Sequence, residues 1–248
     1  MNNILATKED CMKISVLLTV LIMFTALAPG LATGSGGALT LRQQNIVPIA
    51  AFTAGGELDR LVPALNKGLD DGLSINEIKE VMVHLYAYAG FPRSLNALNT
   101  FMKVVEERKA RGIEDVQGKT ASPVPADFDR DEYGARVRAM LAGRETDISG
   151  APWQKFSPAI DTFLKEHLFA DIFVRDVISY QDRELATIAA LSNMDGTEGQ
   201  LGFHFGAAMN TGLTRAQVED FVSVLGARVS KERAESAGSI LTQVLSKR

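Results

Sequence analysis

From residue 40 onward, apolar residues recur three and four positions apart, in blocks separated by short polar breaks. That spacing is helical. Ile46, Ile49, Ala50 and Phe52 share one face of a first helix, which Gly55 and Gly56 end. Residues 57–69 form a second through Leu58, Leu61, Val62 and Leu65, and Asp70-Asp71-Gly72 turns the chain. Ser74 and Glu77 have the spacing of a capping box and open a long helix expected to reach about Tyr88. Residues 109–125 are polar, carry Pro123 and Pro125, and read as an exposed connector. Residues 131–141 suit a short helix. Residues 156–179 suit a stronger one, with Ile160, Phe163, Leu164, Leu168, Ile172, Phe173 and Val177 in a broad apolar stripe. Alternating β-branched runs are missing. The pattern predicts an all-α fold.

The densest stretch is residues 182–220. Leu185, Ile188, Ala189 and Leu191 mark a helix, residues 193–199 break it, and Thr197 with Gln200 has the spacing of a capping box for the next. Asn210-Thr211-Gly212 stops that helix, and Thr214 with Gln217 opens another.

This region repeats an earlier one. GLSINEIKEVMVHLYAYAG (residues 72–90) aligns without a gap on GLTRAQVEDFVSVLGARVS (residues 212–230). Upstream, residues 64–69 parallel 208–213 with a shift of four residues, and residues 49–52 parallel 188–191. Duplication of a three-helix unit explains all three matches. In this alignment the first copy has Arg60-Leu61 where the second has a histidine, His204.

Composition narrows the function classes. The chain is 46% hydrophobic and 23% charged, as in ordinary globular proteins. A net charge of −4, with no long basic run and no pattern of stacking aromatics, argues against nucleic acid as a partner. Met12-Lys13, the apolar run 14–27 and the small residues 28–32 follow the plan of a secretory signal peptide. Export to the periplasm or beyond is expected, with Met12 as an alternative start. The membrane is a partner only if that segment stays uncleaved. Cys11 is the single cysteine, so the mature chain has no thiol. The expected layout is a signal segment (1–32), a leader (33–38), a first unit (39–106), a connector (107–155) and a second unit (156–248).

The phrases YAGFP (88–92), RELATIAAL (183–191), QLGFHFGAAMNTGLT (200–214) and EIKEV (77–81) resemble the carboxymuconolactone decarboxylase-like family, which includes alkylhydroperoxidase D-type proteins. The resemblance implies two helical units per chain and assembly into trimers or hexamers. It also implies one of two chemistries. Peroxidase members use a Cys-x-x-Cys pair between the positions of Glu184 and His204; none stands here, and a thiolate is what attacks the peroxide. The decarboxylase branch needs neither thiol, metal nor cofactor. Its substrate, a carboxylated lactone, loses CO2 and gains a proton. The protein must hold the carboxylate, stabilise the growing oxyanion and deliver the proton.

On that resemblance, His204 is the expected proton donor, with Glu184 and Glu80 orienting it. Tyr88 would donate to the oxyanion, and Arg93 and Arg183 would hold the substrate carboxylate. The first copy keeps Glu80 and Tyr88, while the second keeps Glu184 and His204, so one composite site per chain is expected. His84, in register with Glu77 and Glu80, reads as the polar edge of its helix rather than a metal ligand, and His167 reads as solvated. The alternative to a small-acid lyase is a ligand-binding or assembly module of the same fold.

Overall fold

The computed structural model describes residues 38–248. The signal segment, Cys11 and nearly all of the leader lie outside the described residues. Among the described residues are ten α-helices, one π-helical segment and no strand. No helix among them is long and apolar enough to cross a membrane.

Two helices form the centre: α1 (Leu41–Gly55) and α7 (Tyr180–Ser192), packed along each other. In α1 every residue of the run 45–54 is buried, and in α7 every residue of the run 182–192. Residues 46–52 of α1 and 188–191 of α7 are apolar all round and belong inside, and Ala50, Ala51, Ala189 and Ala190 let neighbours approach closely. Helices α2 (Leu58–Asp70) and α3 (Ile75–Ala110) pack on α1. Helices α8 (Glu198–Asn210) and α10 (Lys231–Leu245) pack on α7. There is also an exchange: α3 reaches across to α7, and α9 (Arg215–Arg228) packs on α1. Residues of the first unit are thereby brought to the second unit's central helix.

The capping boxes at Ser74/Glu77 and Thr214/Gln217 form as expected, and Thr40/Gln43 makes a further one at the start of α1. The Thr197/Gln200 box does not form. Thr197 has φ −113° and ψ 16°, no cap bond from its side chain, and a hydroxyl that instead donates to the Leu191 carbonyl at 2.8 Å. Helix α3 continues past Tyr88 by bending at Gly90, where φ is 82° and ψ 159°. A side chain there would be strained. The second unit turns the same corner with a break, Ser230 capping α10.

The helix ends correct the register of the repeat. After α2, Leu73 N bonds the Gly68 carbonyl, and after α8, Leu213 N bonds the Ala208 carbonyl. Buried Leu61, Leu65 and Gly68 then match buried Leu201, Phe205 and Ala208. The counterpart of His204 is Ala64, not Arg60. The alignment read from sequence had slipped by one helical turn, which keeps side chains on nearly the same face.

Residues 156–179 do not form one helix. Pro152 opens α5 (Pro152–Phe156), Pro158 opens α6 (Pro158–Thr162), and a π-helical segment (Phe163–Ile172) follows. Ser157 before Pro158 is held out of the helical region, at φ −137°. The predicted stripe therefore divides. Leu168, Ile172 and Phe173 pack with Val137 and Leu141 of α4 (Arg130–Leu141) and with Ala207 of α8. Ile160 and Phe163 remain 48% and 64% exposed. Together α4, α5, α6 and the π-helical segment make a roof over one side of α8.

Candidate active site

Helix α7 carries Arg183, Glu184 and Thr187, all fully buried. Helix α8 carries His204, 6% exposed, and α3 carries Glu80, His84 and Tyr88, spaced one turn apart along the face that meets α7. His204 Nδ1 lies 2.7 Å from Glu184 Oε2. That bond fixes the imidazole, and among the described residues its Nε2 has no hydrogen-bond partner and is not an enclosed atom. A carboxylate holding one ring nitrogen leaves the other as the working atom.

Behind this dyad Arg183 donates to Glu80 Oε1 at 2.7 Å, and Arg175 donates to Glu80 Oε2 at 2.8 Å. Glu80 therefore does not orient His204, contrary to the sequence expectation; it pairs with two guanidinium groups. Arg183 is fully buried in this pairing and cannot meet a carboxylate in solution or in an open cavity. Arg93 is exposed and lies over Gly56 at the end of α1, also away from His204.

His84 is not a polar edge but wholly buried, its Nε2 2.8 Å from Thr187 Oγ1. The Thr187 hydroxyl donates its proton to the Arg183 carbonyl at 2.9 Å. It must therefore accept from His84, which places the imidazole proton on Nε2 and leaves Nδ1 bare. Burial first, then the charges of Arg183 and His204, hold the His84 pKa well below its usual value. Tyr88 stands between the two histidines, with ring centroids 5.2 Å from His84 and 5.4 Å from His204. Its hydroxyl is enclosed without a protein partner, as is Glu184 Oε1. Burial, then the nearby Glu184 carboxylate, push the Tyr88 pKa up. His167, by contrast, is half exposed and pairs with Asp171, as expected of a surface residue.

His204 opens onto a cavity of about 470 Å³. Gly199, Gln200 and Phe203 of α8 form its floor beside His204, and the roof contributes Ile148, Trp153, Ile160, Leu164 and Phe169. Tyr88 does not reach this lining. Arg138 does, but it is 3% exposed and clamps the roof by ion pairs to Asp147 and Asp161. A larger groove of about 770 Å³ runs between α8, α10 and the end of α4 and touches none of the residues nominated from sequence. Among the described residues no group of three or more His, Cys, Asp or Glu could hold a metal ion.

A family model, Carboxymuconolactone decarboxylase family, matches residues 19–101 and 158–243. The chain belongs to the carboxymuconolactone decarboxylase family. The match falls on the chain twice, once for each helical unit. No curated protein matches the chain. In this family member the composite arrangement is visible in the exchange of α3: Glu80, His84 and Tyr88 come from the first unit, and Arg183, Glu184, Thr187 and His204 from the second. Sequence reading nominated neither Thr187 nor Arg175, and read Gln200 only as a capping residue. The equal spacing of Glu80, His84 and Tyr88 was the available signal for a shared buried face.

Proposed function

We propose that this protein is a cofactor-independent acid–base catalyst in which His204, held by Glu184, moves a proton at Nε2 to or from a small molecule in the cavity under the roof. The observation that carries this reading is the buried Glu184–His204 bond at a residue that lines that cavity. Two reactions of one class follow. In the family's named reaction a carboxylated lactone loses CO2, the electron pair spreads into the conjugated lactone, and His204 delivers a proton that it has taken up from solvent. In the second, His204 abstracts and returns a proton on an enolisable lactone without loss of CO2. A positioned histidine contributes roughly 10²–10⁴-fold to such transfers.

Tyr88 does not bind the oxyanion on this reading, because its hydroxyl is enclosed and it does not line the cavity; its ring packs edge-on against His204. The thiol peroxidase reading has no cysteine to rest on between Glu184 and His204. Assembly into a homo-oligomer is part of the same proposal: Phe91, Leu95 and Met102, 54% exposed or more, give the second half of α3 apolar surface to cover.

The test is incubation of the full chain in D2O with carboxylated lactones and with unsaturated lactones, following CO2 release and deuterium entry by NMR. One of the two signals is expected, and His204→Gln should abolish it. Neither signal across both substrate sets would sink the proposal.

A further inference from the structure

We infer that the cavity at His204 selects an uncharged, mainly apolar carbonyl compound rather than a carboxylate. The inference deepens the acid–base reading above, on which its chemistry rests. Of the two reactions, it points to isomerisation by proton transfer and away from loss of CO2.

Charge decides it. A carboxylate entering an apolar cavity loses its hydration and needs a counter-ion there. The walls are Ile148, Trp153, Ile160, Leu164, Phe169 and Phe203. Arg138 is the cation on the lining, and it is already met twice: Nε and Nη2 donate to Asp147 at 2.6 Å each, and Nη1 donates to Asp161. Two carboxylates against one guanidinium leave that wall negative. Arg183 bonds Glu80 through Nη2 alone, its Nε and Nη1 unpartnered among the described residues, but it is fully buried and does not line the cavity; Arg175 is bonded to Glu80, and Arg93 lies at the far end of α1. His204 offers no free charge either, since the Glu184 carboxylate lies 2.7 Å from its Nδ1.

The cavity does offer neutral polar groups, the indole N–H of Trp153 and, beside His204, the carboxamide of Gln200. Gln200 precedes His204 by one turn of α8 on the same wall and is exposed. The capping box that would have used its carboxamide does not form. An amide N–H there suits a carbonyl oxygen. The step balances with no other reactant. The C–H bond next to the carbonyl breaks and an N–H bond forms at His204 Nε2. The electron pair moves to the oxygen, which accepts from Gln200, and the proton returns at the far carbon of the conjugated system as the carbonyl re-forms.

The protein carries its own reporter. Trp153 is its single tryptophan and lines the cavity, so fluorescence quenching reads occupancy whether or not turnover occurs. The probes are an alkyl-substituted unsaturated γ-lactone and the same lactone with its chain ending in a carboxylate, each titrated into the full chain. The neutral lactone should bind with a Kd at least about tenfold lower, a difference of about 1.4 kcal/mol. Gln200→Leu should weaken it several-fold, and Ile160→Lys should shift the preference towards the carboxylate. Equal or tighter binding of the carboxylate overturns the inference, as does quenching by neither probe. Deuterium exchange separates the two ideas: neutral binding without exchange leaves the selectivity standing and removes the acid–base reading.

Discussion

The two units of this chain have kept the same cavity and given it opposite contents. Gly199, Gln200, Phe203 and His204 on the floor of one correspond to Asp59, Arg60, Pro63 and Ala64 on the wall of the other, which encloses about 510 Å³. Glu184 corresponds to Asn45, whose side-chain oxygen accepts from Arg228, the counterpart of Tyr88. Arg60 and Arg228 spend their donors on Glu57, the Val229 carbonyl, Gln44 and Asn45, so the twin is a locked polar surface. Only the second unit's wall is covered by the roof of α4, α5, α6 and the π-helical segment. Duplication preserved the helical frame, because packing of α1 on α7 needs both halves. Nothing in that packing required a histidine twice.

That contrast can be attacked first at its chemical centre. His204→Ala copies Ala64 of the twin and should slow deuterium exchange by about 10²–10⁴-fold, while lactone quenching of Trp153 stays near its wild-type value. A variant that exchanges normally would mean that the two cavities differ in contents but not in use.

The next effect is on stability. Glu80→Gln leaves Arg183 buried opposite a neutral amide and should cost about 3–5 kcal/mol, read from urea denaturation. Its counterpart Asp220, only half-buried, accepts from Leu39 N at 2.9 Å. Asp220→Asn should cost roughly 1 kcal/mol. Equal losses would show that the buried Glu80–Arg183 pair is no more demanding than its twin.

The smallest effect is pH dependence at His84, whose counterpart is Val224. The native pKa of His84 is depressed, so below about pH 6.5 the unfolded chain binds a proton that the native chain does not. Stability is thus fully present above that pH and falls as pH drops towards the native value, by at most about 1.4 kcal/mol per pH unit from this group. His84→Val should flatten that part of the curve between pH 7 and 5.5. If wild type and variant lose stability in parallel, His84 is not the buried neutral group described.

Much of this was readable before any coordinates. The helix starts at Ser74 and Thr214, the stop at Gly212 and the duplication all follow from local chemistry and spacing. The bond between Glu184 and His204 was anticipated through resemblance, and the geometry places it there. What could not be read was set by contacts distant in sequence. Glu80 looked like a partner for His204 until α3 crossed onto α7 and brought Arg183 and Arg175 to it. His84 looked like the polar edge of its helix because Glu77 and Glu80 share its face, but the crossing buries it. The slip between α2 and α8 arose because one turn barely changes a helix's apolar phase. The roof was missed because Pro158 divides a stripe that periodicity alone would join.

The π-helical segment gives the cavity an unusual sensitivity to length. An α-helix advances about 100° per residue, whereas a segment bonded five residues back holds one residue more per repeat. Deleting a single residue between Phe163 and Ile172 would let the segment rewind as ordinary helix, and everything on one side would rotate. Leu164 would leave the wall beside Trp153, or Ile172 and Phe173 would leave their packing beneath it. A lineage drifting by substitution could change the cavity's lining one side chain at a time. One that loses or gains a residue here would move Leu164 or Phe169, with the packing around them, in a single step.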